Sequence, residues 1–284
     1  MPKEIKRLSA KQLIDAREQL KGFIQSGEVE IEPARAEAIL KCGTFKRGSL
    51  ERRACLDVLC PHCETKRTIT EQILLLNVLD YMKQQNGRVG LFYVELLIEQ
   101  IPGAQLAIMT QKLIEMSSKF ITRKAYRGLF IGYARRLHFY KDGENFGIFL
   151  SGIGHLKEPI DELTKETAIV EEMRQSWITL MGDSVFPYRI YDIQYFEDMK
   201  PSLEYQLNRF TVCTVPINDL LHNKGDLQIF IDAIPKNLFT GDNKLKQMIR
   251  ELNISIPIHE MEDSEGRIKR INLDFYRKYK YMGM

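Results

Sequence analysis

The sequence predicts an α+β protein: an antiparallel sheet of about five strands with helices on one face, preceded by a helical lead-in and a cysteine knuckle. Three observations carry this. Apolar residues recur at helical spacing within 8–40, 68–85, 104–124 and 162–181. Between those stretches lie runs rich in β-branched and aromatic residues, at 88–98, 129–140, 146–153 and 188–196. Four of the five cysteines, Cys42, Cys55, Cys60 and Cys63, gather within 41–67.

Along the chain, Ser9 can cap a helix whose apolar positions are Leu13, Ile14, Leu20, Phe23 and Ile24. Residues 28–40 give a second, short helix that tolerates Pro33 near its start. After the cysteines, 68–85 reads as a helix carrying Ile73, Leu74, Leu76, Val78, Leu79 and Met82. The run R-V-G-L-F-Y-V-E-L-L-I at 88–98 is a strand, punctuated by Pro102 and Gly103. Helical spacing returns through Leu106, Met109, Leu113, Ile114 and Met116. The strands 129–140 and 146–153 flank K-D-G-E-N, a hairpin link. Residues 162–181 form a helix with an acidic and an apolar face and the lone Trp177. A strand at 188–196 and a helix at 201–212 complete the main unit, and 217–221, 225–233 and 243–252 read as further helices. The expected organisation is therefore an N-terminal helical segment (1–40), a knuckle (41–67), an α+β domain (68–216) and a helical, basic-aromatic tail (217–284).

With 284 residues, 44% hydrophobic, the chain can bury a sizeable core. No run approaches the roughly 18 apolar residues of a membrane helix, so no membrane partner is expected. The opening Met-Pro-Lys-Glu-Ile-Lys-Arg has no apolar stretch behind it, which predicts no secretory signal. Cysteines grouped as ligands predict a reducing, cytoplasmic setting. A net charge of +3 does not by itself argue for nucleic acid; its distribution says more.

Cys60-Pro61-His62-Cys63 places two sulfurs close enough to share one tetrahedral metal, and Cys42 with Cys55 can supply the second arm. The expected cofactor is structural zinc on four thiolates, with His62 able to replace Cys42 or Cys55. The alternatives are scattered buried thiols or a redox C-x-x-C pair, which would be expected near the strand–helix junction of a βαβ unit rather than in polar, basic surroundings. Lys46, Arg47, Arg52, Arg53, Lys66 and Arg67 surround the cysteines, and a rigid knuckle carrying them suits a phosphate backbone.

The order C-G-x-F, C, L-C-P-x-C and a basic pair, here Cys42-Gly43-Thr44-Phe45, Cys55, Leu59-Cys60-Pro61-His62-Cys63 and Lys66-Arg67, resembles the opening of the rolling-circle plasmid replication initiator (Rep) family. The resemblance continues in order through 91–98, 120–127, Gly132-Tyr133-Ala134-Arg135-Arg136-Leu137, Trp177, Tyr191-Asp192-Ile193 and Leu203-Glu204-Tyr205, spanning roughly three quarters of the chain. It implies an HUH-type fold, DNA as partner, and strand nicking through a metal-polarised phosphate and a tyrosine nucleophile. Matched residue by residue, the two metal-binding histidines fall on Phe146 and Ile148, and the acidic ligand on His138. Phe146 and Ile148 cannot hold a catalytic divalent metal. Tyr205 falls at the nucleophile, preceded by Glu204 where the family has lysine. The resemblance thus implies a DNA-binding relative with a dismantled nicking centre. An Asp192, His138 and Glu95 cluster across neighbouring strands is a conceivable rebuilt metal site, though nothing in the spacing demands it, and it would restore a nicking initiator.

A one-signed stripe supports DNA contact. From 119 to 141 the chain holds Lys119, Arg123, Lys124, Arg127, Arg135, Arg136 and Lys141, with interleaved aromatics and no acidic residue. The tail interleaves Arg277, Lys278 and Lys280 with Phe275, Tyr276, Tyr279 and Tyr281, which suits either a nucleic-acid strand or a solvated tail packed on the body. The acidic stretch 158–172 offers a solvated face or a protein contact, the latter expected if the chain is a scaffold subunit of a larger assembly. Single-stranded or hairpin DNA is the partner expected otherwise.

Overall fold

Every residue from Gly90 to Ile98 is buried, which a strand shows only when both faces of its sheet are covered. The computed structural model describes residues 9–46, 52–86, 90–123, 129–157, 160, 163–182, 186–197, 220–235, 237–241, 243, 245–247, 261–262 and 268–269. The expected helix at 201–212, most of that at 243–252 and the tail beyond 269 lie outside them.

Strands β1 (Gly90–Ile101), β2 (Phe130–Asp142), β3 (Asn145–Leu156) and β4 (Tyr188–Glu197) form an antiparallel sheet in the order β4-β1-β3-β2. A three-residue strand, β5 (Phe239–Gly241), adds to the free edge of β2. Two-residue strands β6 (Met261–Glu262) and β7 (Ile268–Lys269) pair apart from this sheet. Helix α4 (Leu106–Ile121) links β1 to β2, and α5 (Leu163–Met181) links β3 to β4, giving a β-α-β-β-α-β order, the split β-α-β arrangement.

Strand alternation divides the sheet into two unlike faces. On the first, Phe92, Val94, Leu96 and Ile98 of β1 join Leu137, Phe139, Phe146, Ile148 and Leu150 in one apolar core with Leu113, Phe120 and Trp177 of α4 and α5. Phe120 meets Trp177 edge to face at 5.9 Å, and Phe139 meets Phe230 of α6 (Lys224–Ala233) at 5.3 Å.

The second face is covered by α3 (Pro61–Asn86). Its buried residues Glu64, Thr68, Leu75, Val78 and Met82, with Glu71, recur at helical spacing along one stripe, and Glu64 and Glu71 both reach Arg136 of β2. The expectation of helices on one face is corrected here. Its own signal was in the sequence: L-F-Y-V-E-L-L-I does not alternate, as a strand buried on both sides need not. The expected boundary at residue 67 falls inside α3, which runs unbroken from Pro61 to Asn86.

The N-terminal lead-in is helical as its spacing predicts. Ser9 caps α1 (Ala10–Gln25) in a reciprocal box with Gln12, and Pro33 opens α2 (Pro33–Lys41).

Glycines in β3 are covered by aromatics from β2. A methyl at Gly147 would overlap the Tyr140 ring, and methyls at Gly152 and Gly154 would strike Tyr133 and Phe130. Gly147→Ala is therefore expected to destabilise the protein by about 1–3 kcal/mol through overpacking. The midpoint of urea unfolding should fall with no change in slope; an unchanged midpoint would show that the Tyr140 ring is not fixed over this position.

Candidate metal centre and the adjoining basic arm

Four side chains from three pieces of backbone meet at the base of α3. Cys42 follows the last residue of α2, Cys55 lies in the connecting segment, and Cys60 and Cys63 bracket the first turn of α3, where Pro61 occupies the first helical position without losing a needed N–H bond. Their sulfurs lie 3.4 Å (Cys42–Cys63), 3.5 Å (Cys55–Cys63) and 3.8 Å (Cys42–Cys60) apart, and all four fall within 4.8 Å of one another. A disulfide needs about 2.05 Å, and none of the four is so bonded. A tetrahedron of thiolates about 2.3 Å from a central ion has edges near 3.8 Å, so this arrangement could hold a metal ion. Cys42, Cys60 and Cys63 are buried and Cys55 is partly so.

The surroundings hold the cluster open for a cation. Contact with the Cys55, Cys60 and Cys63 sulfurs holds the Cys42 thiol far below its ordinary range, while contact with Cys42 pushes Cys60 up. A cation bound by all four sulfurs would displace their thiol protons. Lys21 donates to the Cys42 carbonyl at 2.6 Å. Gly43 adopts a left-handed turn, φ +79°, against the Arg17 guanidinium, where a side chain would collide. On the other side, Asp57 receives a two-pronged bond from Arg35 at 2.8 Å and caps the turn into Cys60 by accepting from the Leu59 N–H at 2.9 Å.

Between Cys42 and Cys55 the chain makes a short antiparallel arm. Gly43 donates to the Arg53 carbonyl at 2.7 Å, Arg53 to the Thr44 carbonyl at 2.8 Å, and Phe45 bridges to Arg52. The Arg52 guanidinium lies 5.2 Å from the centre of the Phe45 ring. Lys46 is exposed, and Arg52 and Arg53 are half-buried.

The remaining sequence-derived basic residues divide. Lys119 is exposed at the end of α4, paired with Glu115 at 2.6 Å, and Arg123 is half-buried just beyond it. Arg67 is tied down, donating to the Leu56 carbonyl at 3.2 Å and the Asn237 side chain at 3.4 Å. Two expectations need correction. Arg136 is 1% exposed and held between Glu64 and Glu71 under α3, and Arg135 donates to Ile114, Ser117 and Ser118 of α4. Consecutive strand residues face opposite ways, so the pair could not share one surface; Arg136 is enclosed beneath α3 and Arg135 lies half-buried against α4. Arg47, Lys124, Arg127 and Tyr205 lie outside the described residues, as does the side chain of Lys66.

Phe146 and Ile148, matched to the metal-binding histidines, sit in the apolar core at 1% and 0% exposure. His138 and Glu95 do share the second face. Tyr93 donates to Glu95 and lies 3.4 Å from Ser151, whose hydroxyl meets His138 Nε2 at 3.0 Å, and His138 stacks on Phe149 at 4.3 Å. Asp192 stands opposite Glu95 in the β1–β4 register, its side chain outside the described residues. The sequence reading placed Glu95 and His138 on neighbouring strands but missed Tyr93 and Ser151 between them, and missed the Glu64–Arg136–Glu71 triad; the one available signal was ionisable residues inside apolar runs. Among the described residues, the four cysteines are the one group of three or more His, Cys, Asp or Glu side chains arranged to hold a metal.

Comparison of the chain with protein-family models, with curated proteins and with solved structures finds no match. The functional reading therefore rests on the residues themselves. No helix among the described residues is long and apolar enough to cross a membrane.

Proposed function

We propose that this chain is a DNA-binding protein related to rolling-circle replication initiators, with an HUH-type sheet that has lost its nicking centre. It holds single-stranded or hairpin DNA rather than cutting it. The observation that carries the reading is four converging thiols at the base of an arm bearing Lys46, Arg52 and Arg53. Zinc is the metal proposed, since four cysteine sulfurs in a closed, buried set suit a structural zinc site. Phe146 and Ile148, buried where metal-binding imidazoles would stand, support loss of the nicking centre. Glu95 and His138, on one face with Asp192 opposite in register, favour a second reading in which a metal site is rebuilt and nicking survives.

Binding is tested by titrating labelled single-stranded and hairpin DNA at several salt concentrations. Three to five phosphate contacts would give a log–log slope of about −2 to −3.5 on a single strand. An affinity that is absent, or indifferent to salt, would overturn the reading in favour of a scaffold subunit.

A further inference from the structure

We propose that Phe45 is a stacking platform for an unpaired base of single-stranded nucleic acid, an inference that rests on the DNA-binding function proposed above. Phe45 is 57% exposed, and it shares the knuckle with Leu56, 45% exposed. Its ring plays no part in the apolar core. The arm that carries it is fixed at its base by Cys42 and Cys55 and closed by the bonds between Gly43, Arg53 and Thr44, so the ring is presented on a built support.

Its surroundings select the partner. From 41 to 53 the chain carries Lys41, Lys46, Arg47, Arg52 and Arg53 against one acidic residue, Glu51. Arg52 lies over the ring, which orients it and sets a cation beside whatever meets it. A protein interface is built on a wide apolar patch, whereas the described residues of the knuckle expose two large apolar side chains, Phe45 and Leu56, among cations. One ring and a nearby guanidinium match one nucleotide: the base stacks and its phosphate is neutralised. A duplex hides its base faces, so the contact distinguishes an open strand.

The test uses the full chain and a labelled thymidine oligonucleotide, with a blunt duplex of equal length in parallel. Phe45→Ala should weaken single-strand binding about tenfold or more, leave duplex binding and the salt slope unchanged, and leave the metal content intact. Phe45→Trp should restore binding, and its fluorescence should be quenched by the oligonucleotide. Trp177, the lone native tryptophan, is fully buried and gives a constant background. If the native protein binds single strands and Phe45→Ala binds them equally, the inference fails and the DNA-binding reading stands. Equal loss on single strand and duplex also overturns it, by making Phe45 a general support of the arm. If the native protein binds neither, the functional reading itself fails.

Discussion

Cys63→Ala abolishes stoichiometric metal binding and lowers the stability of the knuckle. Cys63 is the position expected to matter most, because its sulfur lies within 3.5 Å of both Cys42 and Cys55. The native protein should carry one metal ion per chain on four thiolates. Structural zinc contributes about 10–16 kcal/mol of apparent binding energy in small fingers. Here Lys21, Arg17 and the Arg35–Asp57 pair already hold the loop, so only part of that energy acts on folding. A loss of about 4 kcal/mol would lower the melting temperature by about 10 °C. Metal analysis with a thermal scan, repeated on native protein stripped by a chelator, checks this. Native protein that binds no metal, with Cys63→Ala melting alongside it, would contradict the site.

The second large effect belongs to the buried triad under α3. Arg136→Ala leaves Glu64 and Glu71 with only the more distant Arg67, 3.9 Å from Glu64, and is expected to cost about 3–5 kcal/mol. Replacing all three by apolar residues of similar volume should cost much less, since the desolvation of every charge is then removed together. One guanidinium cannot neutralise two carboxylates. Burial pushes Glu71 up to about 7 in spite of the Arg136 charge. Glu71 therefore binds its proton more tightly in the folded chain than at its ordinary value of 4.5. Its contribution to stability is complete below pH 4.5 and is lost as pH rises through 7, by at most about 3 kcal/mol. His155 works the other way. Burial lowers it to about 4, so its contribution is present above 6.5 and is lost as pH falls through 4. The two slopes oppose each other between these values, so the comparison to make is native protein against Glu71→Gln. Chemical denaturation at several pH values should show the variant gaining relative to native as pH rises from 4.5 to 8. Parallel curves would show that Glu71 binds its proton no more tightly in the folded chain than in the unfolded one.

Much of the architecture was legible because its signals were local. The Ser9 box, Pro33 at the start of α2 and the K-D-G-E-N hairpin each lie within a few residues of the structure they dictate. The cysteine set was legible for a different reason: few other arrangements bring four thiols to such spacing. What escaped depended on pairings distant in sequence. Arg136 looked like a surface cation until Glu64 and Glu71, 72 and 65 residues away, closed over it. Arg135 likewise finds its partners 17 to 21 residues back on α4. Strand alternation already forbade the two arginines a common surface, and that argument was available from sequence alone. The start of α3 was placed late because the C-P-H-C segment reads as a turn, whereas Pro61 opens the helix.

The most direct test of the central claim is covalent capture. The native protein and Tyr205→Phe are incubated with labelled single-stranded and hairpin DNA and manganese or magnesium, then denatured. The account predicts a salt-sensitive complex before denaturation and no adduct after it, with the two proteins alike. A denaturation-resistant adduct that forms with native protein and vanishes with Tyr205→Phe would contradict it, and would place a working metal site elsewhere in the chain.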